Sequence, residues 1–446
     1  MYSLITMSGR ESFSGKIGLI LTAAGATVGL GSLWRFPYLT AQQGGAIFII
    51  CYMILMVALG LPLFIAEFTV GKHAQTGVLD AFRVLNPKFG FLGLLSIAAI
   101  LLTMPYYSII GATSMMYGVK YISGAGAELL DPGFYTGYIS QIAEPLIWLG
   151  AFVLLTGIVG LFGLKNGIER LCKVVMPAVI FLLIALTIFC MTLPGALDGL
   201  AYYLIPNPDN FRTESVMVAM GHVFYSLSLG FGVIVTLGSY MKKDEEVSSS
   251  SRRTIALTFI VALLAGALII PASYICTGGQ PELLGSGTIF ESLPLVVNAM
   301  PGGAIVGALF FLLLGLAALA PVVIFSEVII TALHDRFKVP RKVGVGIMVA
   351  ALFLIGALIS LGYGPLSWVQ VNGLHILELF DFTVGSIILP VTALLTCLLI
   401  GYFCDKSAFL ASSKVKHRKL FMFMIRYFCP LCIIAIFAYN IISSLL

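Results

Sequence analysis

Apolar residues run along this chain in eleven stretches of about 18 residues or more, the length a helix needs to cross a bilayer's hydrocarbon core. They centre on residues 17–40, 45–70, 91–119, 145–163, 174–193, 216–240, 254–276, 303–333, 343–362, 375–403 and 420–444. The pattern predicts an all-α, polytopic membrane protein with eleven spans. Two stretches carry the wrong contents for a plain anchor. Residues 25–37 read Gly-Ala-Thr-Val-Gly-Leu-Gly-Ser-Leu-Trp-Arg-Phe-Pro, and the sixth stretch holds Gly221-His-Val-Phe-Tyr-Ser-Leu-Ser-Leu-Gly-Phe-Gly232. Glycine weakens a helix interior, and an intramembrane arginine is costly unless it faces water or a partner. The plainer alternatives are a kinked packing helix and a serine-lined seam between helices. Within a bilayer, unwound backbone survives only where it lines a cavity or is buried in protein. Residues 25–32 and 225–232 are therefore expected to be interruptions that hold a small solute.

The two interruptions fall five spans apart in a chain of ten spans plus one. That spacing predicts an inverted repeat of five helices, residues 10–194 and 215–404, followed by an eleventh helix at 418–446. The whole of 1–446 then forms one domain. In such a pair, half-helix N-termini offer amides and positive dipole to a carboxylate, while C-terminal ends and freed carbonyls suit cations.

Composition agrees. Hydrophobic residues make up 59% of the chain and charged residues 10%, with a mean hydropathy of +1.05, a balance outside the range of soluble domains. Basic residues set the expected orientation. With the N-terminus inside, 21 of the 25 Lys+Arg lie on inner segments, and the outer side has only Lys120 and Arg212. The N-terminus is expected in the cytoplasm and the C-terminus outside, in the plasma (inner) membrane. The net charge of +5 is this topological bias, so it implies no nucleic-acid partner. No cleavable signal pattern precedes the first span. The eight cysteines lie mostly within spans or at their inner ends, so Cys429-Pro-Leu-Cys432 reads as packing rather than redox chemistry. There is no H-E-x-x-H motif and no nucleophile elbow, which argues against an enzyme, and no organic cofactor is implied.

Several motifs in order make the chain resemble the neurotransmitter:sodium symporter (LeuT-like) family over nearly its whole length, in its eleven-helix bacterial amino-acid transporter form. They are Gly25–Pro37, Gly44-Gly45, Glu67, Tyr106-Tyr107, Ser226–Gly232, Ser239-Tyr240, Ala332–Asp335 and Asp381-Phe382. The resemblance implies a 5+5 inverted repeat with helices 1 and 6 broken, plus one C-terminal helix. It places a substrate carboxylate against the Leu30 and Gly31 amides and the Tyr107 hydroxyl. The substrate amine would meet main-chain oxygens around Ala26, Thr27, Tyr225, Ser226 and Ser228. Thr103, Ile110, Tyr225, Phe231, Pro321 and Phe325 would line the side-chain pocket. Gly29 stands where monoamine carriers use an aspartate, which favours an amino acid. Arg35 with Asp381 looks like the outer gate, and Arg10 with Asp335 like the inner one, with Phe13 and Tyr240 beside it.

The chain departs from the family at its ion sites. The first cation site, rich in asparagine elsewhere, reads Thr27, Ser32, Ser226 and Thr258 here: hydroxyls in place of amide oxygens. At the second site two hydroxyl positions become Ala320-Pro321, leaving backbone oxygens near Gly25, Val28 and Ala317. Too few oxygen ligands fail to repay the desolvation of a cation. The anion-site positions are Tyr52, His222, Ser226 and Ala262, with histidine in place of glutamine. These features imply secondary-active transport of a small apolar amino acid with Na⁺ sites degraded, either Na⁺-independent or linked to protons. A facilitator or sensor that binds an amino acid without concentrating it is the alternative. His222 is either a satisfied structural histidine or a titrating group. If it titrates, His222→Gln flattens the transport-versus-pH curve; an unchanged curve assigns it to packing alone.

Overall fold

The computed structural model describes residues 11–445, apart from Pro132, Lys243, 281–287, Ser292, Met300, Pro301 and Asn372. Helix α1 is broken into Lys16–Thr27 (α1a) and Gly31–Gln42 (α1b), whose axes differ by 57°. Then follow α2 (Ala46–Ala74), α3 (Pro87–Ile122), α4 (Ala143–Leu161) and α5 (Leu164–Cys190). Helix α6 is again broken, into Thr213–Ser226 (α6a) and Val233–Ser239 (α6b). The remainder are α7 (Val247–Cys276), α8 (Gly303–Phe337), α9 (Arg341–Leu361), α10 (Ile376–Phe403) and α11 (Arg418–Tyr439). Among the described residues nine unbroken helices are long and apolar enough to span, and α1 makes ten when its halves are joined. At the place of the sixth expected span lie two helices of 14 and 7 residues, which do not qualify by length, so the count of eleven spans is not reached among the described residues.

Burial orders the helices. The apolar window of α8 is 78% buried, against 33% for α5 and α11, so α8 runs through the centre and α11 lies at the edge. Helix α8 packs along α3, and α1a is held between α5, α7 and α8.

The first interruption is shorter than its glycines suggest. Helix α1a runs through Thr27, so Gly25 and Ala26 are helical, and Gly31 opens a π-helical turn, Gly31–Arg35. Its glycines provide room rather than backbone freedom. A Cβ on Gly25 would lie 2.8 Å from Cys172 Sγ, and one on Gly29 2.9 Å from Pro321 Cγ. The second interruption uses conformation instead: Ser228, Gly230 and Gly232 take φ of 51°, 84° and 70°.

Helix α6b lies so close to α2 that backbone meets backbone. A Cβ on Gly71 would fall 1.8 Å from the Val235 carbonyl oxygen, and one on Gly238 2.4 Å from that of Phe68. Gly71→Ala should therefore cost about 3 kcal/mol, the upper end of overpacking penalties, because rigid main chain must give way. Gly346, on α9, has nothing within 4 Å of its missing Cβ. Thermal unfolding in detergent should show Gly71→Ala melting well below the parent and Gly346→Ala within error of it.

Candidate functional site

The two interruptions face one another and satisfy each other's polar groups. Ser228 Oγ donates to the Ala26 carbonyl at 2.8 Å, and Gly31 lies against the Ser226 backbone. Scaffold side chains pair the rest. The Gly230 amide donates to Glu67 Oε1 at 2.7 Å, and Ser96 Oγ donates to the Gly230 carbonyl at 3.2 Å. In α1, Ser32 Oγ donates to the Thr27 carbonyl at 3.2 Å, and the Gly29 carbonyl takes the Ser32 and Leu33 amides at 3.1 and 3.0 Å. Leu30 and Gly31 stand at the head of α1b, where a helix's first amides have no intrahelical acceptor. The Gly31 amide faces the Tyr107 hydroxyl.

Aromatic rings bound the space beside these amides. Phe231 stacks on Phe325 with centroids 5.3 Å apart, Tyr107 meets Phe325 at 6.2 Å, and Tyr225 meets Phe231 edge-on at 6.3 Å. The Pro321 ring fills the side facing Gly29 and Tyr107. Thr103 and Ile110 are buried on α3, and the Thr103 hydroxyl has no partner among the described residues.

Above this floor a cavity of about 600 Å³ extends toward the molecular end that carries residues 123–142. Leu30, Gly31, Tyr107, Ile110 and Tyr225 lie on its wall, as do Arg35 and Asp381. Arg35 Nη1 lies 3.5 Å from Asp381 Oδ2, and its guanidinium sits 4.3 Å above the Tyr225 ring. Asp381 Oδ1 also accepts from Tyr225 Oη at 2.7 Å and Tyr106 Oη at 3.1 Å. Three residues from three helices thus converge on one carboxylate of a fourth. The sequence expectation had given Tyr106 no role; its place beside Tyr107 was the available signal.

The opposite end of α8 is closed by a second network. Arg341 donates to both oxygens of buried Glu327, at 3.1 and 2.5 Å, and Tyr240 Oη donates to Glu327 Oε1 at 2.8 Å. Buried Phe13 packs edge-on against Tyr240. The segment carrying Phe13 is fastened to α5 at two points. Glu11 accepts the Leu164 amide at 2.8 Å, while the Ser14 amide and hydroxyl both donate to Glu169, itself paired with Lys173 at 2.7 Å. Arg10, expected to pair with Asp335, lies outside the described residues. Asp335 accepts the Gly77 amide at 2.6 Å.

The ion-site positions cluster as well. The Thr27 and Thr258 hydroxyls meet at 2.6 Å, next to the Ser32–Thr27 bond, and Ser226 Oγ is bonded to its own helix at Val223. At the second site Gly25, Val28, Ala317, Ala320 and Pro321 are all buried and bring no side-chain oxygen. Pro321 has no amide hydrogen to offer the Ala317 carbonyl one turn earlier, which leaves that oxygen without its helical partner. At the anion-site positions the His222 ring lies 5.1 Å from Tyr52 and 6.0 Å from Phe36, and Ser226 and Ala262 are buried. Neither His222 nitrogen has a partner among the described residues.

Comparison with known proteins decides the family. The Sodium:neurotransmitter symporter family pattern matches residues 10–125 and 137–445. The chain belongs to this family. It is 33% identical to the uncharacterized sodium-dependent transporter YhdH of Bacillus subtilis over 444 residues, covering 97% of this chain and 98% of that one. A sodium-dependent transporter of Haemophilus influenzae is 31% identical over the same shares. Among solved structures, that of MhsT in complex with L-phenylalanine superposes with a TM-score of 0.89 at 34% identity, over 97% of this chain and all of that one. The fold is therefore LeuT-like, and the family is one of membrane transporters rather than enzymes.

Asp381 carries the local charge balance at the expected outer gate. Replacing it by asparagine strands Arg35, and breaking such a pair costs about 3–5 kcal/mol when buried and less here, where both side chains are about one-third exposed. Asp381→Asn should lower substrate uptake by proteoliposomes on the order of tenfold or more. Uptake equal to the parent's would remove Asp381 from the gate.

Proposed function

We propose that this protein is a secondary-active transporter of a small apolar amino acid, working by alternating access with its N-terminus in the cytoplasm and its C-terminus outside. The observation that carries the reading is the meeting of the two broken helices. There the Leu30 and Gly31 amides and the Tyr107 hydroxyl converge on one side, and the Phe231–Phe325 pair on the other. The first set suits a carboxylate and the second an apolar side chain. Ala26, Thr27, Tyr225 and Ser228 supply main-chain oxygens for the ammonium group. That MhsT was solved with L-phenylalanine supports this substrate class. Arg35 with Asp381 serves as the outer gate, and the Phe13–Tyr240–Glu327–Arg341 group, with Asp335, as the inner one. The two gates open in turn. Residues 10–194 and 215–404 act as the two halves of an inverted repeat, with 418–446 as an added helix.

Ion coupling in this reading is weakened. Thr27, Ser32, Ser226 and Thr258 give the first cation position hydroxyls and one carbonyl, and Ala320-Pro321 give the second none. The positive-inside distribution of lysine and arginine supports the orientation.

A second reading, a facilitator or sensor that binds without concentrating, draws support from Ala320 and Pro321, since a carrier that cannot hold its driving ion cannot use its gradient. The deciding measurement is amino-acid binding and uptake in Na⁺ and in choline buffer. Affinity should change less than tenfold on replacing Na⁺; a larger loss in choline overturns the degraded-site assignment. Accumulation against a gradient in proteoliposomes supports the transporter, and equilibration alone supports the facilitator.

A further inference from the structure

The start of α11 carries a charge arrangement that solute transport does not use. Residues 414–419 read Lys-Val-Lys-His-Arg-Lys, four formal positive charges in six residues with no acid among them. Lys416, Arg418 and Lys419 are exposed and make no ion pair among the described residues. The nearest carboxylate in sequence, Asp405, is engaged in capping a short helix, accepting the Ser407 and Ala408 amides at 2.9 and 3.3 Å.

Directly after this run the helix turns apolar and presents two faces. Phe421, Ile425, Cys429 and Ile433 are buried against the protein, whereas Phe423 and Tyr427 are 53% and 57% exposed. Between them, about 12 Å along the helix from Arg418 at 1.5 Å per residue, sits Arg426. Its Nε donates to the Gly401 carbonyl at 2.8 Å and its guanidinium lies 5.6 Å from the Tyr402 ring centroid; it makes no ion pair among the described residues. Gly401 lies in a π turn at the end of α10, Leu399–Phe403, which packs against the π turn of α11, Met424–Phe428. That pairing draws the arginine head toward the same membrane face as the basic run, as long cationic side chains do near helix ends.

Exposed cations at the level of lipid headgroups, with exposed aromatics one turn deeper, match an anionic phospholipid better than a protein or a free ion. The acyl chains lie along the Phe423 and Tyr427 face while the phosphate meets Lys416, Arg418, Lys419 and Arg426. We propose that the entry of α11 is a binding surface for anionic phospholipid headgroups of the adjacent leaflet. Positive-inside bias accounts for basic residues on this side, but neither for their clustering without acids nor for an arginine held a further two turns into the span.

The test uses the full chain reconstituted into phosphatidylcholine vesicles containing spin-labelled phosphatidylglycerol or spin-labelled phosphatidylcholine. The parent should hold phosphatidylglycerol preferentially, and the preference should fall as salt rises. In a Lys416→Gln/Arg418→Gln/Lys419→Gln variant it should drop on the order of tenfold or more. An Arg252→Gln/Arg253→Gln variant, altered near the start of α7 on the same side, should keep it. Equal retention of both lipids, an unchanged triple variant, or the same loss in the Arg252/Arg253 variant overturns the proposal. Displacement of the labelled lipid by inorganic phosphate at matched ionic strength does so too, by assigning the site to a free anion.

Discussion

Main-chain polar groups freed inside a bilayer must find partners, and everything else in this structure follows from how that demand is met. Each unpaired amide or carbonyl in hydrocarbon costs several kcal/mol, on the order of a whole domain's net stability when a few are summed. Here the freed groups of α1 and α6 are answered partly by one another, through Ser228 and Ala26, and partly by Glu67 and Ser96 from α2 and α3. Glu67 is thus a substitute for a helical carbonyl. It holds the Gly230 amide while leaving α6 free to change direction. The interruptions are stable because they are enclosed.

The two ends of the molecule are closed by interactions of unequal strength. Arg35 and Asp381 are each about one-third exposed and 3.5 Å apart, a geometry in which water competes effectively for both charges. Glu327 is 2% exposed and takes two donors from Arg341 and one from Tyr240. Opening that end requires a buried carboxylate to lose its partners, a much costlier step. The cavity lies at the end that holds the more exposed pair. The segment from Glu11 to Ser14 adds to it, because two carboxylates on different elements, Glu11 and Glu169, tie the same few residues to α5.

Much of this was legible in the sequence, for reasons that differ from place to place. Spans declare themselves by length of apolar run, and the interruptions declared themselves by glycine where it does not belong, with a charge in the first and serines in the second. Arg35 and Asp381 could be paired from the family resemblance, and an intramembrane charge does demand a counter-charge. What could not be read was the use of each glycine. Gly25 and Gly29 look like backbone hinges in sequence, yet they are helix-compatible positions cleared for Cys172 and Pro321, neighbours that are distant in the chain. Ser228, a non-glycine residue, carries the left-handed turn instead. The π turns in α1b, α10 and α11 left no sequence signal, since they arise from packing between helices. Arg426 escaped notice for the same reason: its partner is a carbonyl exposed by such a turn.

The ion-site positions show how substitution in a buried cluster changes more than a ligand count. A hydroxyl, unlike an amide oxygen, can donate as well as accept, so two hydroxyls brought together satisfy each other. Thr27 and Thr258 do so at 2.6 Å. A cation entering between them must first displace that bond and gains in return oxygens with weaker dipoles than the amide oxygens found elsewhere in the family. Pro321 acts in the opposite sense at the neighbouring position. It brings no side-chain hydroxyl yet releases the Ala317 carbonyl from its helix, adding one acceptor to the backbone oxygens near Gly25 and Val28. On that physical ground Thr258 and Ala320-Pro321 both support the proposed weakening of ion coupling.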